Sequence, residues 1–145
     1  MPKFNPPDPN FAKRVRSSYD QQQCMKTIGA KLIKVSPGEV HIELPFNLAL
    51  TQQHAYMHAG IIATIVDNAC GFAAYTLMPA TSEVLAVEYK INFLLPAQGE
   101  KFIGIGKVIK PGRTLTVCRG EVWACDQDQE QLIATMQATA VTLEK

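Results

Sequence analysis

From Ala59 to Met78 the chain runs without a single Lys, Arg, Glu or Gln, and the one charged side chain there is Asp67, followed directly by Asn68. Apolar residues recur in this stretch with a helical period, so the sequence predicts a long helix over residues 57–79, closed by Pro79. At about 100° per residue, Ile61, Ile62, Ile65, Val66, Ala69, Cys70, Phe72 and Ala73 cover half of its circumference. Thr64, Asp67, Asn68, Gly71 and Tyr75 fall on the opposite arc, edged by Ala63 and Ala74. Any fold of this chain must bury the first arc and give the second something to face.

Lipid is a poor answer. A mid-helix Asp costs about 2.5–3.5 kcal/mol on insertion, Asn68 and Tyr75 add to it, and too many amphipathic strands surround the helix for a single-span protein. Water is the ordinary answer, and helix geometry alone favours it. Yet a solvated face is usually rich in long charged side chains, whereas this one is small-residued, as close approach by a ligand or a second chain requires. The helix start, Tyr56-Met57-His58-Ala59-Gly60, offers no Ser, Thr, Asp or Asn cap. Free N–H groups at Ala59 and Gly60, at the positive end of the helix dipole, could receive a carbonyl oxygen that becomes an oxyanion; water or His58 could equally satisfy them.

The flanking segments supply the layer that buries the apolar arc. Before the helix, Asp8 is a candidate N-cap with Pro9 at the first helical position, and Phe11, Val15 and Tyr19 mark one stripe of an N-terminal helix. A hairpin follows, turning at Ser36-Pro37-Gly38, in which Val40, Ile42 and Leu44 alternate with polar residues. After the helix come four strands. In the first of them Leu85, Val87, Tyr89, Ile91 and Phe93 share a face; a shift of apolar register predicts a bulge near Gly120 in the third; and residues 126–129 turn into the last. Runs of antiparallel strands with segregated helices indicate an α+β fold, with a curved sheet wrapped around one long helix. The 145 residues fit one domain, 1–145, with residues 1–26 as an N-terminal extension and helix.

Charge and cysteines narrow the function classes. The net charge of +1 argues against nucleic-acid binding, although residues 1–34 hold seven Lys/Arg against Asp8 and Asp20, a net +5 that leaves −4 for the remainder. Cys24, Cys70, Cys118 and Cys125 form no C-x-x-C pair, and three lie in apolar surroundings, which suits reduced thiols. The N-terminus has no apolar signal region, and a cytoplasmic location with no membrane partner is expected. His54 and His58 are four apart, but nothing nearby completes a metal set, so no metal is expected. "GIGKVIK" lacks the third glycine of a dinucleotide fingerprint, and no G-x-S-x-G or H-E-x-x-H occurs. Cys70, on the apolar arc, reads as core, and Trp123 as packing.

Against this background "HAGIIATIVD" resembles the H-G-G-x-x-x-x-x-x-D signature of hotdog-fold acyl-CoA thioesterases of the PaaI-like branch. "VEYKINFLLPAQGE" and "VIKPGRTL" resemble passages that follow that family's central helix, and the order of elements fits from about residue 25 onward. The resemblance implies that Asp67 is the catalytic carboxylate, activating water or attacking the thioester itself. It implies that the Ala59 N–H, with Gly60 beside it, is the oxyanion site, that His58 shapes that loop, and that the Gln52 amide helps orient thioester or water.

Thr64 and Asn68 are candidate substrate contacts beside Asp67; Lys110 and Arg113, flanking a Pro-Gly turn, are candidates for the coenzyme phosphates or ordinary turn charges. The substrate implied is an acyl-CoA, with coenzyme A entering only as part of it and no separate cofactor. Two departures stand out: Ala59 replaces the first motif Gly, and Ala86 stands where some relatives carry Ser or Thr near the Asp. A non-catalytic acyl-CoA-binding module on the same fold is the alternative. Acyl-thioester hydratases carry other His-containing signatures that are absent here.

The helix start and Asp67 lie roughly 13 Å apart along the axis, too far for one thioester to touch both in one chain. In the family, the carboxylate faces the oxyanion site of the other subunit. A homo-oligomer is therefore expected, a dimer at minimum, and relatives are often tetramers built from two dimers.

Overall fold

The computed structural model describes residues 3–145. Three helices, α1 (Phe11–Asp20), α2 (Gln23–Ile28) and α3 (Ala59–Tyr75), accompany six strands: β1 (Lys31–Ser36), β2 (Glu39–Pro45), β3 (Ser82–Phe93), β4 (Lys101–Lys110), β5 (Leu115–Asp126) and β6 (Gln129–Glu144). All six form one antiparallel sheet in the order β1-β2-β4-β5-β6-β3. The α+β class and the sheet wrapped around a central helix are as the sequence reading expected. No described helix is long and apolar enough to cross a membrane.

The depth of α3 against the sheet is set by glycines. A Cβ on Gly106 would stand 2.3 Å from the Ala69 carbonyl carbon, and one on Gly120 would stand 2.5 Å from a Val66 methyl. These two residues face each other across β4 and β5, and Gly104 meets the Ile65 backbone in the same way. The glycines of "GIGKVIK" are therefore packing residues. Around them Ile62, Ile65, Val66, Ala69 and Ala73 close the core with Phe102, Val122 and Ala134, all essentially without exposure.

Several local expectations are corrected. Helix α1 starts at Phe11 rather than Pro9, with Asn10 at its cap and no side-chain cap bond. Asp8, 5% exposed, accepts from the Asn10 N–H at 2.8 Å and pairs with Arg14 Nε at 3.3 Å, because its carboxylate serves a buried guanidinium. The N-terminal helix also breaks at residues 21–22 into the short α2, which ends in a Schellman cap: Gly29 at φ +78°, with Gly29 N–H to Lys26 O and Ala30 N–H to Met25 O. Helix α3 ends at Tyr75, short of Pro79.

Two register expectations also fail. In β3, Ala86 pairs with Ala140 and Glu88 with Thr139, so Val87 is an extra, bulged residue. Beyond it the faces exchange: Tyr89, Ile91 and Phe93 share the helix side with Ala86, opposite the buried Ala138, Met136 and Ala134, while Leu85 lies on the outer side. In β5 no bulge forms at Gly120. Thr116, Cys118, Gly120, Val122 and Ala124 are buried in unbroken alternation, and the irregularity with β6 comes later, between Val122 and Trp123.

Candidate active site

The start of α3 is held by main-chain bonds before any side chain acts. Thr51 bridges Met57, the Met57 N–H donates to Ala97 O at 3.0 Å, and the His58 N–H donates to Leu50 O at 2.9 Å. Between them residues 52–56 form a tight loop, with Ala55 at φ +63° and the Gln52 N–H bonded to Tyr56 O. Within it Gln52 Oε1 accepts the His54 N–H, which orients the amide and leaves its NH₂ without a partner among the described residues.

The helix is capped, and by His58, the alternative to free N–H groups that the sequence left open. His58 occupies the cap position with extended backbone, and its Nδ1 accepts the Gly60 N–H at 2.9 Å. An imidazole lone pair does here what a Ser or Asp oxygen usually does, and the ring lies so close to Gly60 Cα that a Cβ there would meet Nδ1 at 3.2 Å. One donor is thus removed from the expected pair of free N–H groups. The Ala59 N–H keeps no partner among the described residues, and Ala59 is exposed. Ala59 lines a cleft of about 350 Å³ bordered by Gln52, Tyr56, Ile62, Phe93 and Ile133.

Asp67 borders a different cleft, of about 170 Å³, together with Ser18, Gln22, Asn68, Glu83 and Ala86. Its carboxylate accepts no hydrogen bond from any described residue, and burial pushes its pKa above the ordinary value for Asp. A half-buried carboxylate without counter-charge is a stronger base than a solvated one. On its far side a narrow gap is lined by Cys70, Cys118 and Ala138; burial raises the Cys118 thiol to about 12, so these sulfurs stay protonated and inert.

Gln52 and Ala59 thus share one cleft, and Asp67 and Asn68 share the other. Asn68 exchanges two hydrogen bonds with Gln22, so both ends of its amide are engaged. Thr64, which borders neither cleft, donates its hydroxyl to Gly60 O at 2.7 Å. Lys110 and Arg113 are exposed at the β4–β5 turn and line neither cleft.

Tyr75 is not on a polar face: it is 3% exposed, with the Arg14 guanidinium 4.3 Å from its ring centroid and its hydroxyl donating to Glu83. Sequence reasoning missed Ser18, Gln22 and Glu83, which the N-terminal segment and β3 bring to Asp67. It also missed Tyr56 and Phe93 at the helix start.

Comparison with known proteins places the chain in a family. The sequence model of the thioesterase superfamily matches residues 54–131. A solved thioesterase family protein from Silicibacter pomeroyi is 47% identical, with a TM-score of 0.92 over 93% of this chain and 99% of that one. Acyl-coenzyme A thioesterase 13 of Homo sapiens is 31% identical over 85 residues, 58% of this chain and 60% of that protein. The Escherichia coli PaaI protein from the phenylacetic acid degradation operon shares the fold, at 18% identity and a TM-score of 0.81 over 92% of this chain and 94% of that one.

Proposed function

The chain belongs to the thioesterase superfamily, a hydrolase family, and from that premise we propose that it hydrolyses acyl-CoA thioesters to a free carboxylic acid and coenzyme A. The observation that carries this reading is the pair of half-sites on α3: an unpartnered N–H at Ala59 and a half-buried, unpaired carboxylate at Asp67.

Water attacks the thioester carbonyl while Asp67 takes its proton. The carbonyl oxygen becomes an oxyanion at the Ala59 N–H, where the helix dipole adds to the hydrogen bond. Collapse of the tetrahedral intermediate breaks the C–S bond, and the departing thiolate recovers the proton from Asp67. Direct attack by the Asp67 carboxylate, with water then cleaving the anhydride, reaches the same products. Gln52 lines the same cleft as Ala59, and in this reading its NH₂ orients the carbonyl or the water.

The two half-sites line separate clefts, about 12 Å apart along the helix axis, so one site needs two chains. The edge strand β3 supports a homodimer: among the described residues it pairs only with β6, and apolar side chains stand about half exposed on both of its faces, Leu85 on the outer one and Tyr89 and Phe93 on the helix side. Two such edges, paired antiparallel, would continue the sheet into the second chain and bring each Asp67 toward the other chain's helix start. In this reading Lys110 and Arg113 meet the coenzyme phosphates.

A thiol-release assay across acyl-CoAs of graded length tests the proposal, with Asp67→Asn as the control. Thiol release by the wild type, lost in Asp67→Asn while its circular dichroism is unchanged, is the expected result; full turnover by the variant would overturn it. The second reading, acyl-CoA binding without hydrolysis, is favoured by Ala86, which puts no hydroxyl beside Asp67 to position water. Saturable binding with no thiol released would decide for it.

A further inference from the structure

Beside Asp67 two amides are locked face to face. Gln22 Nε2 donates to Asn68 Oδ1 at 2.9 Å, and Asn68 Nδ2 donates back to Gln22 Oε1 at 3.0 Å. The pair joins residues 46 apart in sequence and fixes both amide planes. Gln22 is itself anchored, since its N–H donates to Tyr19 O at the end of α1 and it holds the cap position of α2. The elbow between α1 and α2 is therefore tied to α3 one residue beyond Asp67. Ser18 and Gln22 form the elbow's side of the Asp67 cleft, and Val84 and Ala86 form the β3 side.

We propose that the Gln22–Asn68 pair is a positioning device for the reaction, a latch holding the α1–α2 elbow over Asp67 as the wall that keeps bulk water from the carboxylate. The inference rests on Asp67 being the reacting group, and it gives Asn68 a structural task in place of a substrate contact. The surroundings of Asp67 make water access decisive. Glu83 from β3 borders the same cleft, with Tyr75 and Lys145 holding it. Cys70 from α3 and Cys118 from β5 border the narrow gap behind, and neither space is lined by a Lys, Arg or His among the described residues. No cation sets the basicity of Asp67, so its solvation does.

The test compares wild type with Gln22→Ala in two ways: kcat/KM for acyl-CoA hydrolysis against pH, and a ¹³C NMR titration of the Asp carboxyls, with Asp67→Asn identifying the resonance. Opening the elbow admits water, so the acid limb of kcat/KM and the Asp67 titration should both move down by about half a pH unit. Asn68→Ala breaks the latch from the other side and should repeat the Gln22→Ala shift, which keeps the test available if Gln22→Ala does not fold. An Asp67 titration unmoved in a folded latch variant overturns the inference. Full turnover by Asp67→Asn would instead remove the catalytic role of Asp67, and the titration would still report on the latch.

Discussion

Asp67 and Ala59 ride on the same helix yet open into separate clefts, one walled by the N-terminal elbow and β3, the other by the loop before the helix and the end of β3. A carboxylate and an N–H donor that cannot meet in one chain can be tested as parts supplied by two. Ala59→Pro deletes the N–H at the first helical position, where proline is well tolerated, so the fold should survive. Asp67→Asn and Ala59→Pro should each be inactive alone. Mixed and re-associated, they should regain about a quarter of wild-type activity, since half the dimers are mixed and one of their two sites is intact. No recovery in a mixture shown by mass spectrometry to contain the heterodimer would place both groups in one chain's site.

Burial raises the Asp67 carboxyl above its ordinary value, so the folded state holds that proton more tightly than the unfolded chain does. Ionised Asp67 therefore costs stability above its folded pKa, and the cost is absent below the unfolded value of about 3.9. Asp67→Asn should unfold at a higher urea concentration than wild type at pH 7, measured at one protein concentration. The gap should close as the pH falls toward about 3.9. A variant less stable than wild type at pH 7 would contradict a desolvated, unpaired carboxylate.

Gly106→Ala should be among the most damaging single-methyl additions to this fold. The added carbon would stand 2.3 Å from the main chain of Ala69, which cannot rotate away as a side chain could. A loss of about 3 kcal/mol is expected by chemical denaturation, at the upper end of overpacking costs. Wild-type stability would show that α3 can lift from β4.

Arg14 closes the other end of α3. Its guanidinium donates to the carbonyls of Tyr75 at 2.9 Å, Met78 at 2.8 Å and Pro79, and its Nε pairs with Asp8. Arg14→Met keeps the stem and removes the donors, stranding the Met78 carbonyl and the nearly buried Asp8, while the Tyr75 and Pro79 carbonyls keep bonds from Met78 and Ser82. It should cost roughly 2–3 kcal/mol in thermal or urea unfolding. The double variant with Asp8→Asn should be less destabilised than the two single losses added, because each leaves the other's partner unpaired.

The central helix and its two faces were legible because twenty residues without a long charged side chain admit few placements. What stayed hidden depended on contacts between distant parts of the chain. Tyr75 looks like a polar-face residue until Arg14, 61 residues earlier, covers its ring. Asn68 looks free for a ligand until Gln22 engages it from 46 residues away. The bulge at Val87 falls inside an alternation that runs unbroken from Leu85 to Phe93, so nothing in the pattern marks where the faces exchange. The cap at His58 stood in the sequence only as one alternative, because an imidazole nitrogen is an uncommon substitute for the oxygens that usually mark a helix start.

The glycines beneath α3 bear on how this site could be altered. At Gly104 and Gly106 the helix main chain rests on sheet backbone, and at Gly120 the Val66 and Cys70 side chains pack straight onto it, with no sheet side chain between that could be enlarged, trimmed or rotated. The carboxylate therefore sits on a fixed bench, while the walls around it come from α1, α2 and β3, where side chains are free to vary. Libraries that randomise Ser18, Val84 or Phe93 would reshape what the clefts admit without displacing the reacting group, so the choice of acyl group should be separable from the chemistry that cleaves it.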